Sequence, residues 1–164
     1  MAHIFIAAAH KSSGKTSVAM GLTAALVQRG LAVQPFKKGP DYIDPLWLAR
    51  AAGRACYNLD FFTQTHQEII GTFTGKLENM DIGLVEGNKG LFDGVDVLGT
   101  DSNAALATML AAPVVLVIDT GGMTRGIAAL VRGYLGFDPE VNISGVILNK
   151  VGGARHETKL RAAL

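Results

Sequence analysis

The residues Ala8-Ala9-His10-Lys11-Ser12-Ser13-Gly14-Lys15-Thr16 have the spacing of a phosphate-binding loop. They follow the short apolar run Ile4-Phe5-Ile6 and precede Ser17 to Gln28, which reads as a helix. A strand, a loop of small residues, Gly-Lys-Thr and a helix are the context that turns this pattern into a nucleotide site. Backbone N–H groups of such a loop, with the start of its helix, cradle anionic oxygens. In this arrangement Ser12, Ser13, Gly14, Lys15, Thr16 and Ser17 hold the phosphates; Lys15 reaches the outer ones and the Thr16 hydroxyl binds Mg²⁺. Ala9 stands where the pattern usually has its first glycine. The plain alternative is an ordinary Ser-Gly-Lys-Thr turn with a helix cap.

Two further stretches carry charge in unusual density. Lys37-Lys38-Gly39-Pro40-Asp41-Tyr42-Ile43-Asp44-Pro45 follows a second apolar run. Asp41 or Asp44 offers the carboxylate oxygens that hard cations favour. Lys37 or Lys38 offers a charge for phosphate or a substrate carboxylate. The competing role is a solvated turn, with Asp44 capping a helix that starts at Pro45. The third stretch is Glu86-Gly87-Asn88-Lys89-Gly90-Leu91-Phe92-Asp93-Gly94. A carboxylate ending a buried strand is where a P-loop enzyme needs a second Mg²⁺ ligand. A buried Glu86 without a partner is costly, so a metal or lysine neighbour is expected; a structural salt bridge is the bland role. Asp93, in Phe-Asp-Gly, has turn formation as its plain role. Asn149-Lys150 matches half of the guanine-reading Asn-Lys-x-Asp pattern, but glycines follow where the Asp belongs. Guanine specificity is therefore discounted, while the Asn149 amide can both donate to and accept from an adenine edge.

The elements that must position these residues follow from apolar runs and turn residues. Strands are expected at 3–8, 32–37, 81–86, 114–119 and 143–148, with residues 54–63 as a connector. Helices are expected at 16–29, 46–53, 64–75, 103–111 and 124–135, and from near Arg155 onward. Alternation of this kind is α/β: a doubly wound, mostly parallel sheet. In such sheets ligands bind beyond the carboxyl ends of the strands, the edge that all the charged loops share.

The chain of 164 residues is long enough for one domain with a real core. Its net charge of +1, without a basic run, gives no reason to expect nucleic-acid binding. Cys56 is the only cysteine, so no internal disulfide is expected, which suits the cytoplasm. It has no partner motif and reads as a small buried hydrophobe. No apolar run is of membrane-spanning length; Ala111 to Ile118 is too short and holds Pro113. The last helix, running to Leu164, reads as part of something longer.

Lys-Lys-Gly-Pro-Asp-Tyr-Ile-Asp-Pro at 37–45, Asn-Leu-Asp at 58–60, Glu-Gly-x-x-Gly-Leu-Phe-Asp-Gly at 86–94 and Val-Ile-Leu-Asn-Lys-Val at 146–151 resemble the cobyrinate a,c-diamide synthase family. The resemblance spans nearly the whole chain. It implies a P-loop NTPase-like, dethiobiotin synthetase-like fold. Residues 1–164 would then be the N-terminal ATP-binding synthetase domain, cut before its end, without the C-terminal glutaminase domain. The implied activity is amidation of the a- and c-acetate carboxylates of a corrinoid through an acyl phosphate, with ATP, Mg²⁺ and ammonia from glutamine. The resemblance implies Thr16, Asp41 and Glu86 as the metal shell. It implies Lys15, Asp41, Tyr42 and Asp93 as the catalytic set, the last three near the substrate carboxylate, and Asn149 near the adenine. A homodimer is left open.

Two rivals have their own marks. Dethiobiotin synthetase shares the P-loop, the strand-end Glu and the Asn, but lacks the Gly-Pro-Asp-Tyr-Ile-Asp stretch present here at 39–44. A non-enzymatic nucleotide switch of the partition type has a lysine five residues before the P-loop lysine; this chain has His10 there.

Overall fold

The computed structural model describes every residue from Met1 to Leu164. Strands β1 (Ala2–Ala8), β2 (Val33–Lys38), β3 (Tyr57–Leu59), β4 (Ile82–Glu86), β5 (Val114–Asp119) and β6 (Ile143–Asn149) form one sheet in the order β3-β2-β4-β1-β5-β6. Every neighbouring pair is parallel. Helices α1 (Lys15–Gln28), α2 (Ile43–Ala52), α3 (His66–Leu77), α4 (Asn103–Met109), α5 (Gly126–Phe137) and α6 (Ala154–Ala163) make the crossovers.

Side chains that alternate along a strand feed two cores. Ile6, Leu84 and Val117 meet Ala19 of α1 and Leu48 of α2 on one face. Phe5, Val85 and Leu116 meet Ile69, Leu106, Ile127 and Leu160 of the other four helices on the opposite face. Because both faces are covered, β2 is buried at every position, its lysines included.

The expected α/β parallel architecture is what the chain adopts, with one strand more than the five expected. The connector 54–63 contains β3, which pairs Tyr57, Asn58 and Leu59 with Phe36, Lys37 and Lys38. Three residues, one of them Asn, give too short a pattern to read as a strand; pairing with β2 supplies what the pattern lacks. Helix α2 starts at Ile43, not at the expected 46 or at Pro45, so Asp44 lies inside its first turn and does not cap it. The Asp41 carboxylate does that work, accepting from the N–H groups of Ile43 (2.9 Å) and Asp44 (3.3 Å). Helix α5 begins two residues after the expected 124.

The order of strands puts β4 and β5 on either side of β1. The loops after β1, β2 and β4 therefore converge at one place on the carboxyl edge, where such sheets bind ligands.

Candidate active site

The loop between β1 and α1 bends through residues that ordinary backbone geometry disfavours. Ser12 and Gly14 have positive φ, 66° and 88°. A Cβ on Gly14 would lie 2.2 Å from Asn149 Nδ2, so only glycine fits there. Ala9, by contrast, is not at positive φ, and it is buried with its N–H bonded to the Val117 carbonyl at 3.0 Å. An alanine meets those requirements, which explains why the loop forms without its usual first glycine.

Other elements hold this loop by its carbonyls. Asn149 Nδ2 donates to Ser13 O at 2.8 Å and Lys150 Nζ to Ser12 O at 2.8 Å. The Tyr134 hydroxyl donates to Ala9 O. The Ser13 hydroxyl bonds His10 O at 2.7 Å. With carbonyls so occupied, the loop's N–H groups are left for an anion.

Glu86, the last residue of β4, is fully buried at the centre of the site. Its Oε1 accepts from Thr16 Oγ1 at 2.6 Å and from Lys15 Nζ at 2.8 Å, with Lys37 Nζ 3.3 Å away. Its Oε2 has no partner. Lys37, also buried, reaches Asp44 Oδ2 at 2.6 Å, Gly87 O at 3.1 Å and Asp41 Oδ2 at 3.6 Å. Thr16 Oγ1 stands 3.4 Å from Asp44 Oδ2. Two lysines thus face three carboxylates.

Burial pulls the Lys37 ammonium down, but Glu86, Asp44 and Asp41 outweigh it and hold its pKa above the ordinary lysine value. Lys15 goes the other way: burial dominates, the like charge of Lys37 adds to it, and Glu86 and Asp44 do not make up the difference. For Asp44, burial pushes up, but the hydrogen bond and charge of Lys37 and the charge of Lys15 hold its carboxyl below the usual range.

These residues border a cleft of about 380 Å³ with no hydrophobic lining, formed by residues 10–17, Lys37, Asp41, Asp44, Asn88 and Lys89. The Asn103 side chain pins the far wall, accepting from Asn88 N at 2.9 Å and donating to Gly90 O at 2.6 Å.

The sequence-predicted residues fall into four groups. Ser12, Ser13, Gly14, Lys15, Thr16 and Ser17 all line the cleft, and Glu86 lies beneath it. Asp41 is in the cleft wall, but its carboxylate serves the start of α2 and Lys37; Asp44 is the carboxylate that reaches Thr16. Tyr42 is 78 % exposed beside the cleft, and Asp93 accepts from Gly90 N at 3.1 Å on the other side of the Asn88–Gly90 turn. Asn149 sits behind the loop with one amide N–H donated to Ser13 O, leaving Oδ1 for a ligand. His10, Lys11 and Asn88 in the lining, and the anchors Asn103, Tyr134 and Lys150, were not predicted. The anchors act across 13 to more than 100 residues of sequence, so no local spacing marks them.

The donor set suits a small divalent cation. A buried carboxylate oxygen without a partner, a hydroxyl and a second carboxylate nearby are hard oxygen ligands, and Mg²⁺ takes one or two carboxylates plus phosphate and water.

The profile of the family described as the CobQ/CobB/MinD/ParA nucleotide binding domain matches residues 4–164. The chain is 53 % identical over 161 residues to the cobyrinate a,c-diamide synthase of Magnetococcus marinus, covering 98 % of this chain and 34 % of that protein. It is 50 % identical over 162 residues to the hydrogenobyrinate a,c-diamide synthase of Streptomyces coelicolor, covering 98 % and 33 %. The chain thus spans about a third of the length of the curated relatives it matches. Among solved structures, the signal recognition particle 54 kDa protein of Aeropyrum pernix in complex with GDP aligns with a TM-score of 0.65 at 21 % identity, over 99 % of this chain and 39 % of that one. The hydrogenase maturation factor HypB of Archaeoglobus fulgidus aligns at 0.53 and 16 %, over 99 % and 89 %. At those identities the likeness is one of fold.

Proposed function

Since this chain belongs to the CobQ/CobB/MinD/ParA nucleotide-binding domain family, we propose that it is the ATP-binding part of an amide ligase acting on the a- and c-acetate carboxylates of cobyrinate or its metal-free form. The relatives' printed names support the substrate class. One observation of the site supports the chemistry: a buried Glu86 whose Oε1 meets the P-loop lysine and threonine while its Oε2 stays unpartnered.

Bound MgATP would supply the γ-phosphoryl group and a divalent charge between the phosphates. The chain's own residues have the remaining tasks. Thr16, Glu86 and Asp44 are proposed to hold the cation, with Asp41 fixing Asp44 through the first turn of α2. Lys15 leaves Glu86 for the outer phosphate oxygens, which relieves an ammonium that burial disfavours. Lys37 stays between Asp44 and Glu86 and offsets the repulsion between the two carboxylates. Two anions, carboxylate and phosphate, must meet, so positioning and charge neutralisation carry most of the work. An oxygen of the acetate carboxylate attacks phosphorus and ADP leaves, giving an acyl phosphate. Ammonia then displaces inorganic phosphate to form the amide. Tyr42 and Asp93 border the approach for the acetate. Asn149 offers Oδ1 to the adenine amino group.

Ammonia, in this reading, comes from glutamine, hydrolysed by a glutaminase domain outside these residues. Relatives about three times as long leave room for one. No helix is long and apolar enough to cross a membrane; the cytoplasm, where ATP is supplied, is the proposed compartment.

ATP hydrolysis by the full-length protein, measured with each candidate acceptor, tests the reading. Stimulation by cobyrinate is expected. Stimulation by diaminopelargonate would make it a dethiobiotin synthetase-like ligase, and indifference to both would make it a nucleotide switch.

A further inference from the structure

Two lysines end β2, and they face opposite sides of the sheet. Lys37 is surrounded by acceptors, as described above. Lys38 is 5 % exposed, yet its ammonium makes no hydrogen bond and no ion pair within 4.0 Å. It stands over the Phe61 ring, 5.7 Å from Nζ to the centroid.

The carboxylates in its surroundings are already engaged. Asp60 accepts from Phe62 N at 3.3 Å and Thr63 Oγ1 at 2.8 Å. Asp101 accepts from Val95 N at 2.9 Å and Asp96 N at 3.1 Å, holding the loop before α4. Burial above all, with the like charge of Lys89, keeps the Lys38 pKa below the ordinary lysine value, although Asp101 and Asp60 pull it up. The stem of Lys38 is buried, while its ammonium has no protein partner and keeps contact with solvent at the sheet edge, where a ligand can reach it.

The position is as telling as the charge. Lys38, Phe61, Lys89 and Asp101 come from three separate segments, the end of β2, the loop after β3 and the long loop between β4 and α4. Lys89, at φ 39° in the Asn88–Gly90 turn, is exposed, lines the phosphate cleft and is near enough to Lys38 for its charge to act there. An acceptor reaching over this turn would meet the phosphate on one side and the Lys38 ammonium on the other. The relatives' names require an acceptor of that kind, because a diamide is made from a molecule with at least two carboxylates.

We propose that Lys38 is a specificity-determining residue that binds a second carboxylate of the acceptor while another carboxylate is held at the phosphate cleft. The proposal rests on the amide-ligase reading above. The contact is a charge-assisted hydrogen bond in a largely buried site, with Phe61 as one wall and Lys89 adding positive charge at the rim.

Steady-state kinetics of the full-length protein test it. Lys38→Met should raise the KM for cobyrinate about tenfold or more, while the KM for ATP stays within about twofold because the P-loop is on the other face. Lys38→Arg, which keeps the charge, should recover most of the loss. An unchanged KM for cobyrinate in Lys38→Met would overturn the assignment. So would a rise in both KM values together with a lower Tm, which is what a structural role produces. Should Lys38→Met not fold, Lys38→Gln, with a neutral polar head, is read in the same way. Competition by inorganic phosphate against cobyrinate, lost on mutation, would overturn the carboxylate in favour of phosphate. An unmutated protein that ignores cobyrinate would defeat the ligase reading and this inference with it; one that uses cobyrinate while Lys38→Met does equally well would defeat this inference alone.

Discussion

Glu86 concentrates the chemistry of this chain in a single side chain. One of its oxygens takes the Thr16 hydroxyl and the Lys15 ammonium and the other takes nothing, in a place without solvent. Glu86→Gln removes the charge and keeps the volume. In the full-length protein this change should leave the circular dichroism spectrum intact and cut Mg²⁺-dependent, cobyrinate-stimulated ATP hydrolysis by roughly a hundredfold or more. Turnover at the unmutated rate would take Glu86 out of the proposed metal site. Cys56 makes the opposite case, a group that chemistry passes by. Burial first, then the charges of Glu86 and Asp41, push its thiol up to about 12. At pH 8 almost no thiolate is present, so iodoacetamide should label Cys56 at least roughly a hundredfold more slowly in the native protein than in denaturant. Fast native labelling would contradict that burial.

Among the elements, the P-loop is rigid because its neighbours make it so. Its carbonyls are held from α5 by Tyr134, from the last residue of β6 by Asn149 and from just beyond it by Lys150. Ser12, Lys89 and Lys150, three of the five non-glycine residues at positive φ, border the site. Strain of this kind persists where surrounding structure over-determines it, commonly at binding sites. Gly14→Ala puts a methyl group against Asn149 in a left-handed conformation. It should cost about 2 kcal/mol or more and abolish ATP binding measured by titration calorimetry. Undiminished affinity would mean that the loop has another conformation available. The mutation also tests the anchor, since Asn149 can make room only by releasing Ser13.

At the scale of the whole molecule, the three charged loops meet only because β4 inserts between β1 and β2. Lys15, Lys37 and Glu86 come from α1, β2 and β4, so a ligand joining them ties the sheet together. MgATP at a hundred times its Kd should stabilise the domain by about 2.7 kcal/mol, read as a rise in Tm of about 5–10 °C. The rise should shrink when EDTA removes the metal, because Glu86, Asp44 and Asp41 then repel the phosphates with only two lysines between. A rise indifferent to EDTA would argue against a cation among these carboxylates.

The amino-acid sequence was enough for the class of fold and for the phosphate loop, because both rest on local physics. A parallel strand is a short apolar run, and a P-loop is a fixed spacing of small residues, lysine and threonine between a strand and a helix. It was also enough to mark the loops at 37–45 and 86–94 as chemical. Residue types and spacing left Asp41 and Asp44 open, with the family resemblance favouring Asp41 at the metal, and left Lys37 and Lys38 equivalent. Tertiary structure separated each pair. Asp41 turns its carboxylate to the start of α2, so Asp44 faces Thr16. The two-residue period of β2 sends Lys37 into a nest of carboxylates and Lys38 to the opposite face without a partner. Charge is written in the sequence, but its partner is chosen by which face of the sheet a side chain leaves from and which distant loop it meets there.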